Sequence, residues 1–264
     1  MSYKLVIATI KGGVGKTTLV HNLAGAFAES GRTVLVVDLD QQGNLSSVFL
    51  QNIYHLSTTV YDIIVNPDVP TTAAIQATAF ANIDILPANL DLSRIEFQLA
   101  GDAEAQFYLA EKLQEVDHYD LILMDTPPHP GLTTLSALVA ADGVVIPVEC
   151  QEWAARGTTY VLDMIRKVQR RANPQLHLLG YVINKYDVRR KLEQSYKEVL
   201  LERYGNDMFK TILRNSVKYP ESVSVRRPLT MYQGSTSHAD TFRQLAREIL
   251  ERTDARTQAV SQQS

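Results

Sequence analysis

The segment Lys11-Gly12-Gly13-Val14-Gly15-Lys16-Thr17-Thr18 constrains this chain more than any other, because of what flanks it. Before it, residues 3–10 form a β-branched apolar run. After it, residues 17–30 carry Leu19, Val20, Leu23, Ala24 and Phe27 at helical spacing, and Gly31 suits the helix end. A glycine-rich turn between a buried strand and a helix presents a row of backbone N–H groups, and the helix dipole adds positive potential, so the turn is built to take phosphate. Glycine lets the backbone close around oxygen atoms that a Cβ would hold away. In such a cradle Lys16 reaches the β- and γ-phosphates, the Thr17 hydroxyl ligates Mg²⁺, and Gly12, Gly13, Val14, Gly15 and Thr18 line the nucleotide. The general pattern G-x-x-x-x-G-K-[ST] is broken at its first position, which is Ile10, and Gly12 and Gly13 restore the lost flexibility.

The pattern beyond the loop alternates. Further strands are expected at 33–38, 83–87, 120–125, 143–148 and 178–183, with helices at about 104–116, 132–140, 153–172, 190–204 and 238–252. Near-continuous apolar strands between helices imply an α/β fold: a doubly wound, mostly parallel sheet with helices on both faces, in one domain spanning 1–252. Residues 253–264 are polar and are expected to form a disordered tail. No run of 18 apolar residues appears, the amino terminus lacks a signal-peptide layout, and the lone Cys150 excludes disulfides and multi-thiolate metal centres. A cytoplasmic location is expected.

The net charge of −3 hides a division. Residues 1–150 hold 6 Lys and Arg against 17 Asp and Glu, a net of −11, while residues 151–264 hold 20 against 12, a net of +8. A basic second half points to a polyanionic partner.

Lys11, five residues ahead of Lys16, is the additional signal. With it the loop resembles that of the deviant Walker A ATPases, the ParA/MinD family of P-loop NTPases. Three other segments resemble the same family: Asp38-Leu39-Asp40-Gln41-Gln42-Gly43-Asn44 its switch I, Leu86-Pro87-Ala88-Asn89 its L-P-A-N stretch, and Asp125-Thr126-Pro127-Pro128-His129-Pro130-Gly131 its switch II. Gln41 stands where the family has proline, and His129-Pro130 where it has Ser-Leu. The resemblance implies an ATPase using ATP and Mg²⁺, with Lys11 reaching the nucleotide of a second subunit in a sandwich homodimer. It gives Lys11, Lys16 and Asp40 the catalytic parts, Asp40 positioning the attacking water. Mg²⁺ falls to Thr17, Asp38 and Asp125, and the base contact to Asn184. No chemistry is assigned to His129.

Asn184-Lys185-Tyr186-Asp187 also spells N-K-x-D, which opens a GTP-dependent targeting protein as an alternative. A MinD-like membrane regulator is a second alternative, opposed by the absence of a bulky apolar amphipathic terminus. The partition branch of the family is closest, being soluble, nucleoid-associated and driven by an adaptor (ParB-like or McdB-like) that stimulates slow hydrolysis to move plasmid, chromosome or carboxysome-type cargo. For that branch the nonspecific DNA contacts are expected at Arg189, Arg190, Lys191, Arg214, Lys218, Arg226, Arg227, Arg243 and Arg247, with Arg166, Lys167, Arg170 and Arg171 extending them. With the loop beginning at residue 11, operator-specific repression is not expected.

Overall fold

Strands β1 (Tyr3–Ile7), β2 (Val34–Asp38), β4 (Ile83–Leu86), β5 (Leu121–Asp125), β6 (Gly143–Val148) and β7 (His177–Ile183) run parallel, and the two-residue β3 (Gln76–Ala77) pairs antiparallel with β4 at the edge. The seven strands take the order β3-β4-β2-β5-β1-β6-β7. The computed structural model describes residues 2–151 and 154–261. Every residue of β2, β5 and β6 is buried, as a parallel sheet covered on both faces requires.

Alternation along the strands divides the core in two. Val6, Leu35, Val37, Ile122, Met124, Val144 and Ile146 face one layer of helices: α3 (Val60–Val65), α5 (Tyr108–Gln114), α6 (Leu132–Ala140) and α7 (Ala154–Arg171). Leu5, Ile7, Val34, Val36, Leu121, Leu123 and Val145 face the other, where Leu19, Leu23 and Phe27 of α1 (Lys16–Glu29) meet Phe242, Leu245 and Ile249 of α11 (Ser237–Ser261). The remaining helices are short or peripheral: α2 (Asn44–Phe49), α4 (Ile95–Gln98), α8 (Lys191–Tyr204), α9 (Lys218–Ser224) and α10 (Leu229–Tyr232). The fold is the doubly wound α/β arrangement expected from the sequence.

Several bounds differ from the sequence reading. β1 stops at Ile7 because residues 8–10 already turn into the loop, and the helix expected at 104–116 contracts to α5. α2 and α3, six residues each, are too short to show a period. The polar end is not a coil beginning at 253: α11 continues to Ser261, and the buried Thr253 donates its hydroxyl to the Ile249 carbonyl at 2.9 Å. Residue 153, expected to open α7, and residues 262–264, expected in the tail, lie outside the described residues.

His21, on the inner face of α1, is fully buried, and neither ring nitrogen completes a hydrogen bond. Burial pushes its pKa down to about 4, against the opposing pull of the Arg227 and Ser222 backbone nearby. The ring is therefore neutral when folded, whereas the unfolded chain gains a proton below about 6.5. The unfolded state binds more protons in this window, so stability is complete above about pH 6.5 and is lost as pH falls toward 4. The contribution reaches at most about 3 kcal/mol. Denaturant midpoints measured from pH 7 to 4 should fall less steeply for His21→Leu than for the wild type; parallel slopes would remove His21 from the acid response.

Candidate functional site

In an open parallel sheet, the loops leaving the carboxyl ends of the strands converge on one edge. Here that edge gathers the glycine loop after β1, Asp38 at the end of β2, Asp125 at the end of β5, Glu149 just past β6 and Asn184 just past β7. Strand register brings the carboxylates together, with Asp125 opposite Ile7 on one side and opposite Asp38 on the other. At this edge lies a cavity of about 930 Å³ whose walls include Gly13, Gly15, Lys16, Thr17, Asp40, Thr126 and Asn184.

The glycine loop is held from two directions. Gly15, at φ 91°, precedes α1 in a left-handed conformation, and a Cβ there would lie 2.8 Å from the Asn184 amide nitrogen. That nitrogen donates to the Val14 carbonyl at 2.7 Å, and Lys185 Nζ donates to the Gly13 carbonyl. Asn184 Oδ1 in turn accepts from the Lys185 N–H at 2.9 Å. The residue expected to contact the base thus also clamps the loop, with one amide N–H left over for a ligand. Lys16 is 7% exposed and curls onto the Thr9 carbonyl at 3.2 Å. Burial lowers its pKa, while Asp125 and Asp40 act to raise it.

Thr17 Oγ1 donates to Asp125 Oδ2 at 2.6 Å, and the buried Asp125 Oδ1 has no partner. Burial first, and the facing Asp38 second, push Asp125 up to about 8. A buried carboxylate with an open oxygen, a second carboxylate beside it and a hydroxyl in line forms an oxygen donor set short of positive charge, as a hard divalent cation demands. Thr17 and Asp125 would hold Mg²⁺, which would supply positive charge to offset that of the phosphates.

Asp38, expected as a third metal ligand, is also tied into switch I. It is fully buried, its Oδ1 accepts from the Asp40 N–H at 3.1 Å, and its Oδ2 accepts from the N–H and hydroxyl of Ser46 at 2.8 and 2.7 Å. Burial still lifts it to about 6. Ser46 Oγ also accepts from the Ala88 N–H at 2.9 Å, which ties switch I to the Leu86–Asn89 stretch. Asp38 therefore organises switch I, and Asp40, half-buried on the cavity wall, is the carboxylate that faces it.

The two lysines of the loop point in different directions. Lys11 does not line the cavity, and its Nζ reaches Glu149 Oε2 at 2.8 Å and Gln151 Oε1 at 2.6 Å. No feature of the sequence marked either partner. The wall opposite the loop was also missed: Asn215, Ser216 and Tyr219 line it. It is anchored to α1 by the fully buried Asn22, which donates to Ser222 Oγ at 3.2 Å and accepts from the Leu229 N–H at 2.8 Å.

A family model described as an AAA domain matches residues 2–178. The chromosome-partitioning ATPase Soj of Treponema pallidum is 36% identical over 97% of this chain and 100% of its own length, and the chromosome partitioning protein ParA of Caulobacter vibrioides is 32% identical over 94% of each. The chain belongs to the Soj/ParA family. Among solved structures, cobyrinic acid a,c-diamide synthase of Mycobacterium smegmatis with an ATP analogue and magnesium superposes with a TM-score of 0.84 at 30% identity, covering 96% of both chains.

For a Soj/ParA-family chain the placement of the basic residues matters, and they fall at two ends. Arg189, Arg190 and Lys191 are exposed on the turn after β7, and the Tyr186–Arg214 bridge sets Arg214 beside them at the cavity edge. Lys218 pairs with Glu221 at 2.9 Å, and Arg226 and Arg227 are exposed between α9 and α10. Arg243 corrects the expectation for it: it grips both carboxylate oxygens of Glu29 at 2.7 and 2.8 Å and also binds Asp240 and the Gly234 carbonyl. That contact joins α11 to the far end of α1, about 20 Å from the loop, and Arg247 lies at the same end. Lys167, Arg170 and Arg171 likewise close α7 at the sheet's opposite edge, and Arg166 pairs with Asp163. These residues do not extend the patch around Arg189.

The structure also bears on the guanine-type motif. Asp187 does not line the cavity; its carboxylate accepts from Arg189 Nε and Nη2, each at 2.9 Å, and those bonds hold its pKa down at about 2. The carboxylate that would read guanine in an N-K-x-D site is engaged elsewhere. No described helix is long and apolar enough to cross a membrane.

Proposed function

We propose that this chain is a partition or positioning ATPase that binds ATP with Mg²⁺, pairs with a second copy around the nucleotides, and attaches to DNA without sequence preference in the paired state. An adaptor of ParB-like or McdB-like kind stimulates slow hydrolysis and releases it, so that a plasmid, chromosome or protein organelle is moved over the nucleoid within the cytoplasm. One observation carries this reading. Lys16 is sunk into its own cavity, whereas the Lys11 ammonium stands outside it, at a half-exposed edge that another molecule's phosphates can approach. A cation placed there neutralises charge across an interface.

The other parts follow from position. Backbone N–H groups of Gly12 to Thr18 and Lys16 take the phosphates, Thr17 and Asp125 the Mg²⁺, and Asp40 the attacking water. Asn184, Asn215 and Ser216 offer neutral hydrogen-bonding groups to the base, which suits adenine. The exposed Arg189-Arg190-Lys191 turn, doubled by pairing, supplies six cations for DNA phosphates. With all six engaged, the logarithm of the affinity should fall with the logarithm of salt concentration with a slope of about −5.

Fluorescence anisotropy of a random-sequence duplex, titrated with protein in a non-hydrolysable ATP analogue and Mg²⁺ at several salt concentrations, tests this. Alanine at all three positions should remove most of the slope, whereas Arg243→Ala should leave it unchanged. An ATP-independent signal, or a slope indifferent to the turn, would count against DNA as the polyanion.

A further inference from the structure

The reading of Lys11 as a cation serving another molecule leaves open what occupies it beforehand, and the structure supplies the occupant. Glu149 follows β6, with its side chain only 11% exposed, at the same strand edge as the glycine loop. Its Oε2 accepts from Lys11 Nζ at 2.8 Å, while its Oε1 lies 3.6 Å from Lys185 Nζ. Lys185 is the cation that also donates to the Gly13 carbonyl and lines the nucleotide cavity. Gln151 closes the arrangement by accepting from Lys11 at 2.6 Å. One mostly buried carboxylate therefore holds two lysines at the mouth of the site, one facing its own nucleotide cavity and one facing outward.

We infer that Glu149 is a positioning residue for the paired state: it parks Lys11 on its own chain, and pairing requires Lys11 to exchange that carboxylate for the phosphates of a second copy's nucleotide. This rests on the sandwich reading proposed above. The exchange swaps one charge-assisted hydrogen bond for another, so neither state dominates by a large margin. Phosphate carries more charge than one carboxylate, and the exchange turns favourable only when a triphosphate is presented. With nucleotide absent, the parked lysine is kept from phosphate-rich surfaces of other kinds.

The test is a double-mutant cycle on dimerisation, read by sedimentation velocity in a non-hydrolysable ATP analogue with Mg²⁺, alongside analogue affinity measured by calorimetry. Glu149→Gln keeps the shape and removes the charge. It should lower the protein concentration for half-dimerisation about three- to tenfold, the scale of a partly exposed ion pair, without a matching change in analogue affinity. In a Lys11→Ala background the same Glu149→Gln change should have no effect on dimerisation, because no lysine remains to release. If Glu149→Gln leaves dimerisation unchanged or weakens it while Lys11→Ala still weakens it by about a hundredfold, Glu149 is not a parking site and the sandwich reading stands. If Glu149→Gln acts equally in both backgrounds, its role is structural and the inference fails. If Lys11→Ala dimerises like the wild type, the sandwich reading fails and the inference fails with it.

Discussion

Replacing Asp40 with alanine is expected to cut ATP turnover by about two to four orders of magnitude, the range for loss of a positioned general base, while ATP binding persists. Asp40 is the one switch I carboxylate that borders the cavity. Its Oδ1 accepts from the Gln42 N–H at 3.0 Å, which leaves Oδ2 free to orient a water. Its charge is felt at both Lys16 and Asp125, which places it within electrostatic reach of the phosphate and metal positions. Asp38, by contrast, accepts from Ser46 and the Asp40 N–H and is not among the residues that line the cavity. Phosphate release and the nucleotide retained after gel filtration distinguish the outcomes. The variant should elute with ATP as a stable pair, and wild-type turnover would take the water-positioning role from Asp40.

Lys11→Ala should weaken ATP-dependent pairing by about a hundredfold or more. A symmetric pair contains two copies of the contact, and each hydrogen bond to a charged group contributes about 1.5–3 kcal/mol, so the sum corresponds to at least two orders of magnitude in affinity. The variant should still bind nucleotide, because Lys11 lies outside its own cavity and Glu149 keeps Lys185 as a partner. Lys16→Ala is expected to behave differently and to lose nucleotide itself, since Lys16 sits under the loop. Calorimetry with an ATP analogue separates the two, and equal loss of nucleotide affinity in both would contradict the division of labour between the lysines.

The fold and the phosphate-side residues were legible because each was written locally. Apolar runs end in Asp38 and Asp125, a glycine turn joins β1 to α1, and the parallel sheet carries strand ends to one edge without further instruction. What was not legible depends on contacts distant in sequence. Lys11 meets Glu149 across 138 positions, and Asn22 meets Ser222 across 200. Arg243 and Arg189 look alike in a string of letters and each grips a carboxylate, yet Arg243 is 26% exposed against Glu29 while Arg189 stands 86% exposed beside Asp187. Charge along a sequence counts cations without saying which face they occupy, so a patch assembled from the second half's excess mixed two ends of the molecule. Asn184 was recognised as a site residue but not as a clamp, because its partner is a backbone carbonyl of Val14 that no side-chain pattern announces. The helical end was misread for another reason: Ala, Arg and Gln are polar or small but favour helix, so polarity alone did not end α11.

Under the proposed function, nucleotide state controls DNA attachment by bringing two copies together through Lys11. Sedimentation velocity of a fluorescent random-sequence duplex with this protein, in parallel samples of ATP analogue with Mg²⁺ and of ADP with Mg²⁺, tests it most directly. The expected result is DNA carrying protein in multiples of two chains with the analogue and sedimenting as free duplex with ADP, the shift being lost in Lys11→Ala. DNA bound equally in both nucleotides, or bound by single chains, would contradict it.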